Sequence, residues 1–219
     1  MNFHKIIVAA ACAAPAMGLA QISIYDASYR LEADARSGAS FDTHTAFLNN
    51  MGPVQGFGQQ IDSFANQASS NVHTFASAAW NCSPTTLSLS LVACWVSVDN
   101  GAGNSGHMMS RATLGIDVPS VHAVTTMAQF DPPNSFTEID MLVGTTWVLH
   151  VSRTQIQNYS GFWMPGSYRL RSQRLYDRTG NSTGCVPYSF GLTATPVPEP
   201  GGLLALGLGG LALLRRKRA

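Results

Sequence analysis

Glu138 and Asp140 stand two residues apart, so on a strand both carboxylates face the same way, about 6 to 7 Å from each other. Paired acids near that separation can run glycoside hydrolysis, one carboxyl donating a proton while the other attacks the sugar or activates water. Two acids on the wet face of a strand are also commonplace, so a glycan-processing enzyme using Glu138 and Asp140 is the alternative expectation, not the leading one. Arg169, Arg171, Arg174 and Arg178 crowd into ten residues. They form a candidate anionic-ligand face, because guanidinium forks bind the carboxylate or sulfate groups of acidic polysaccharides bidentately, although a solvated strand face explains them as simply. Trp147, Tyr159 and Trp163 could supply a sugar-stacking platform; buried core aromatics are the default reading.

Other chemistry finds little support. His44, His73, His107, His122 and His150 form no His-x-His or His-x-x-x-His pair, so no zinc centre is expected. No nucleophile elbow, phosphate-cradling glycine loop or dinucleotide fingerprint occurs, and no cofactor is expected. The stretch 99–106 is rich in Asp, Asn and Gly but has a single carboxylate, which suits a hairpin turn better than calcium. Of the four cysteines, Cys12 lies in the apolar N-terminal segment, leaving Cys82, Cys94 and Cys185 with three open pairings. Cys82 with Cys94 is the favoured disulfide, since it closes a short loop containing Pro84 and would stabilise by roughly 3 kcal/mol.

The elements that must position these residues read as strands. Over 25–36, Tyr25, Ala27, Tyr29, Leu31, Ala33 and Ala35 alternate with charged or polar neighbours, a period of two. Leu87, Leu89, Leu91, Ala93 and Trp95 alternate likewise before both faces turn apolar, as in a strand entering a sandwich centre. Further strands are expected over 72–80, 121–130, 147–153, 168–176 and 188–195, with turns at 99–106, 131–134, 164–166 and 179–184. Ile61, Phe64, Ala65 and Ala68 have helical spacing, so a helical turn or loop is expected there. Residues 193–200 read as the one linker. Short strands punctuated by such turns predict an all-β domain, an antiparallel β-sandwich or jelly-roll-like fold, over 21–195.

Charge must be counted by segment. Between Gln21 and Thr195 there are eight Arg, no Lys and eleven acids, a net negative body that excludes general nucleic-acid binding. Residues 1–20 run from His4 and Lys5 through an apolar stretch to small residues at Gly18 and Ala20, the pattern of a secretory signal peptide cleaved between Ala20 and Gln21, with Ala16 as the alternative site. At the other end, Pro198-Glu199-Pro200 precedes residues 201–214, which have no polar side chain, and then Arg215, Arg216, Lys217 and Arg218. Fourteen helical residues reach roughly 21 Å, short of a hydrocarbon core of about 30 Å, so basic side chains must snorkel and the bilayer must thin. The basic cluster anchors its end in the cytoplasm and leaves the body outside.

This tail, residues 196–219, resembles the PEP-CTERM sorting signal of Gram-negative bacteria. The resemblance implies recognition of Pro198, Glu199 and Pro200 by an exosortase, a membrane-embedded cysteine transpeptidase-like enzyme. Removal of the transmembrane helix would follow, then release or attachment at the cell surface, usually in bacteria that make exopolysaccharide. The leading expectation is thus a non-enzymatic exported protein of the cell surface or biofilm matrix, in transient contact with the inner membrane and with exopolysaccharide as a candidate partner.

Overall fold

A computed structural model describes residues 21–67, 69–129 and 135–198. Twelve strands follow in order: β1 (Ser23–Ser37), β2 (Ser40–Leu48), β3 (Gly56–Gln67), β4 (Ser70–Cys82), β5 (Thr86–Val98), β6 (Ser105–Val118), β7 (His122–Ala128), β8 (Phe136–Val143), β9 (Thr146–Val151), β10 (Ser160–Trp163), β11 (Gly166–Thr179) and β12 (Thr183–Pro196). A 3-10 turn over Ile156–Asn158 joins β9 to β10, and the described residues contain no α-helix. The strands build two antiparallel six-stranded sheets packed face to face. Sheet A has the order β2-β1-β6-β11-β8-β9, and sheet B the order β10-β7-β12-β5-β4-β3. From β5 onward every connection except the β8–β9 hairpin crosses from one sheet to the other.

Strict alternation explains the core. Leu31, Ala33 and Ala35 of β1, Ala112, Leu114 and Ile116 of β6, and Leu87, Leu89 and Leu91 of β5 all point inward and are buried. Ala76 and Ala78 of β4 are small because β1 packs directly over that strand. A smaller cluster around Trp95, Met108, Val72 and Ala65 closes the end of the sandwich remote from β12's C-terminus. There a Cβ on Gly106 would come within 2.3 Å of the Trp95 ring and 2.7 Å of the Thr74 methyl. The ring cannot yield freely, since its Nε1 donates to Ser182 Oγ at 2.9 Å. Gly106→Ala is therefore expected to cost about 2 kcal/mol through overpacking, read as a lower urea midpoint.

Three expectations are corrected. The segment with helical spacing is strand β3, paired with β4 from Gly56↔Asn81 to Gln67↔Ser70; Ile61 and Ala65 face the core and Phe64 faces out. Ala68 lies outside the described residues. The disulfide joins Cys94 to Cys185, not Cys82 to Cys94. In the β4–β5 pairing Cys82 opposes Leu87, seven residues along β5 from Cys94, or roughly 24 Å at strand rise. Cys185, by contrast, stands directly across from Cys94 on β12, and Cys82 remains a buried free thiol. Finally, the sequence 193–200 is not all linker, because β12 continues through Pro196.

Candidate functional site

The two outer faces differ in charge. The strands of sheet B contain one charged residue, Asp62, whereas those of sheet A carry seven of the eight body arginines and most of the acids. Residues directly opposite one another on adjacent strands share a face, so the β1–β2, β1–β6 and β6–β11 registers arrange the outer face of sheet A in cross-strand rows. One row is Phe41-Arg36-Ser105-Thr179 and another Thr43-Asp34-His107-Asp177. Further along comes Phe47-Arg30-Arg111-Gln173, then Ser28-Thr113-Arg171-Glu138, in which β8 supplies the last member. Beyond it Gly115, Arg169, Asp140 and Leu149 continue across four strands, with the Tyr25 ring lying over Gly115.

Two grooves cross this face. Asp34, Arg36, Phe41, His107, Asp177 and Arg178 line the first, of about 510 Å³. His107 Nδ1 lies 2.5 Å from an Asp177 carboxylate oxygen, and Arg178 stacks 4.3 Å from the Tyr176 ring centroid. Ser28, Arg30, Thr45, Phe47, Arg111 and Thr113 line the second groove, also about 510 Å³. Arg30 is paired with Glu32, while Arg111, directly opposite Arg30, has no carboxylate partner among the described residues. Phe47 is 64 % exposed beside them.

Glu138 and Asp140 meet Arg169 and Arg171 on the same face. Asp140 accepts from Arg169 Nε at 3.1 Å and Nη2 at 2.9 Å, and from Arg171 Nε at 2.7 Å and Nη2 at 3.0 Å. Arg171 Nη2 also donates to Glu138 at 3.0 Å. Burial pushes the Asp140 carboxyl up, but the hydrogen bonds and charges of Arg171 and Arg169 together outweigh it and hold the group below the ordinary carboxylate range. Arg169 in turn stacks 4.6 Å from the Trp147 ring centroid. A carboxylate saturated by two guanidinium groups is poorly suited to proton exchange with a glycosidic oxygen.

The four arginines expected to form one anionic-ligand face are split by the pleat. Arg169 and Arg171 face outward and are neutralised by Asp140 and Glu138. Arg174 faces the core, fully buried and 3.4 Å from the Tyr188 ring centroid, and Arg178 sits at the far end of β11 in the first groove. Odd and even positions on a strand cannot share a face, and the run 169–178 contains both. Trp163 is buried and stacked on Tyr168, Tyr159 is half-buried, and Trp147 is covered on one side by Arg169. The Asp99 carboxylate accepts the backbone N–H groups of Gly101, Ala102, Gly103 and Asn104, which makes 99–104 a turn organised by its own side chain. Among the described residues no group of three or more His, Cys, Asp or Glu is arranged to hold a metal ion.

The second groove was missed in the sequence. Its signal lies in the Ser37–Ser40 hairpin, where Gly38 takes a positive φ of 55°, the conformation that favours glycine. Counting back from that turn pairs Arg30 with Phe47. The contribution of Arg111 from β6 requires a register that no local feature announces.

β12, a central strand of sheet B, ends at Pro196, and Val197 N–H still donates to Val121 O at 2.9 Å. Residues 196–218 match the PEP-CTERM protein-sorting motif. The chain carries a PEP-CTERM sorting signal. It is joined to the sandwich with almost no spacer, since Pro198 follows the last strand residue by two positions. The PEP-CTERM motif implies an exported protein that is recognised by an exosortase and processed at the membrane. No curated protein matches the chain. Of the sorting residues, Pro198 is described; Glu199, Pro200, the apolar run 201–214 and the basic residues Arg215, Arg216, Lys217 and Arg218 lie outside the described residues, as do residues 1–20, where the signal peptide ending at Ala20 is expected.

Proposed function

We propose that the mature domain is a non-enzymatic component of the cell surface or extracellular biofilm matrix that holds an acidic exopolysaccharide on the outer face of sheet A. The observation that carries this reading is the row Phe47-Arg30-Arg111-Gln173 along the second groove. An exposed ring offers a stacking surface for a sugar face, the guanidinium of Arg111, without a carboxylate partner among the described residues, is matched to a uronate carboxylate, and Ser28, Thr45 and Thr113 add neutral hydrogen-bonding groups. The first groove continues along the same face with Phe41 and Arg36, and Arg178 borders it from the end of β11, which gives a linear polymer a second contact. Against the alternative of a secreted glycan-processing enzyme stands the neutralisation of Asp140 by two arginines.

The test is calorimetric titration with a linear polyuronate and a neutral glucan. The polyuronate is expected to bind and the glucan to bind at least tenfold more weakly. Arg111→Ala and Phe47→Ala should each weaken polyuronate binding about tenfold, or about 1.4 kcal/mol, and added salt should weaken it further by screening. Equal binding of the two polymers, or indifference to both substitutions, would sink the proposal.

A further inference from the structure

The sandwich has a polarity that its fold does not require. β1, β5, β7 and β11 begin at one end of the sheets, and β4, β6, β8, β10 and β12 finish there. Both ends of the described chain lie at this end: Ile22 N–H donates to Pro84 O, and Ala194 N–H to Thr85 O of the same hairpin. The loops at this end span 49–55, 83–85, 119–121, 144–145 and 164–165, and none contains a charged residue. Four of the five contain proline: Pro53, Pro84, Pro119 and Pro165. Within two residues of the strand ends here, Asp117 is the one charged side chain among the described residues. Within the same distance of the strand ends, the opposite end and its loops carry Arg36, Asp42, Asp99, Asp177 and Arg178.

Exposed apolar side chains occur at both ends, with Phe41, Phe64, Val96 and Val98 at the opposite one, but only here are all the flanking loops uncharged. Phe162, 66 % exposed, stands in a row with Ala123 and Thr195, so it lies two strands, roughly 10 Å, from the departing tail. Met164 (58 % exposed) follows on the next loop, and Val143 and Val148 flank the β8–β9 turn on the neighbouring edge of sheet A. The length of chain beyond the sandwich then decides what covers them. Val197 is still hydrogen-bonded to the fold, and only residues 198–200 separate it from the apolar run 201–214, a tether of at most about 14 Å. A helix over that run is shorter than the hydrocarbon core by roughly 9 Å, which draws its upstream flank into the headgroup layer.

We infer that this end of the sandwich is a membrane-seating face: before processing, the loops 49–55, 119–121, 143–148 and 162–165 rest on the outer leaflet around the sorting tail. Uncharged loops, with Asp117 as the single carboxylate beside them, keep low the cost of stripping water from ions at the interface, and Phe162, Met164, Val143 and Val148 gain by partial burial among the acyl chains. The remote end keeps its charges in water. The inference rests on the tail crossing the bilayer, and it holds the exosortase's target bonds at a fixed height above the membrane rather than on a free leash.

Photo-crosslinking of the full chain in phosphatidylethanolamine–phosphatidylglycerol vesicles doped with a diazirine phospholipid tests it, with adducts mapped by mass spectrometry. Adducts are expected in residues 201–214 and in the four named loops, at least tenfold above those in 99–104 and 177–182. Val148→Asp combined with Met164→Asp should lower loop labelling at least fivefold while labelling of 201–214 persists. Labelling confined to 201–214, or spread evenly over both ends of the sandwich, would overturn the seating face. Absence of labelling in 201–214 as well would instead overturn the membrane-crossing tail on which it rests, and the seating face with it.

Discussion

Reduction of the Cys94–Cys185 bond is expected to lower the stability of the domain by about 4 kcal/mol. The bond closes a loop with a sequence separation of 91, and in the chain-entropy view loops of that length forfeit roughly 4 to 5 kcal/mol of unfolded-state freedom. Against a typical domain stability of about 5 to 15 kcal/mol, this is a large fraction. The bond ties β12 to β5 on the outer face of sheet B, with Cys94 buried and Cys185 exposed, so reductant reaches it without prior unfolding. Cys82 should not interfere. Burial pushes its thiol up, against a smaller lowering by a backbone hydrogen bond at Ile24, so it stays protonated and a poor nucleophile. Urea denaturation with and without reductant checks the expectation. Cys185→Ala should match the reduced wild type and lose its response to reductant, while Cys82→Ala should keep the full response. A reductant-insensitive midpoint in the wild type, or a mapped bond involving Cys82, would contradict it. A bond of this weight is available to a protein that folds beyond the reducing cytosol, as the sorting signal requires.

What could be read in the sequence follows from how each strand is buried. β1 and β5 announce themselves because one face is wet and the other packed, so Leu31, Ala33 and Ala35, or Leu87, Leu89 and Leu91, recur at period two. β3 does not. It is an edge strand with Gly56, Gly58, Gln59 and Gln60 at its start, and the few apolar residues that follow, Ile61, Phe64 and Ala65, fit a helical period as well as a broken strand. β6, the central partner of β1 and β11, has its inward alternation interrupted by Ser110, whose hydroxyl donates to Val92 O at 2.6 Å in the interior. The site suffered in the same way. Glu138, Asp140, Arg169 and Arg171 stand out in the sequence as charged pairs, but their mutual neutralisation depends on the β8–β11 register, Asp140 against Arg169 and Glu138 against Arg171, which is set by a pairing across about thirty residues. The sorting tail was legible because a targeting signal is read as linear sequence by the enzyme that acts on it and needs no fold to be recognised.

Asp140→Asn should cost about 3 kcal/mol at neutral pH and progressively less in acid. Asp140 is 4 % exposed at its side chain and bonded to two arginines that are themselves only 31 % and 29 % exposed. Removing its charge leaves two guanidinium groups facing each other with Glu138 as the remaining anion, and breaking a buried pair from one side costs about 3 to 5 kcal/mol, here taken at the low end because the arginines reach solvent. The sign with pH follows from the lowered carboxyl. Its stabilising contribution is complete above the unfolded value near 3.9 and is lost as pH falls through the lower folded value. Wild type and variant should therefore differ most at pH 7 and converge below about pH 4. Glu138→Gln, at a side chain 26 % exposed and bonded once to Arg171, should cost about 1 kcal/mol or less. Adding Arg171→Met to Asp140→Asn should recover part of the loss, because the uncompensated cation goes with its partner. A catalytic pair would behave differently: Asp140→Asn would abolish turnover of a glycan substrate while leaving the urea midpoint almost unchanged. Equilibrium denaturation across pH thus separates an ion-pair clasp joining β8 to β11 from an active site built of the same four residues.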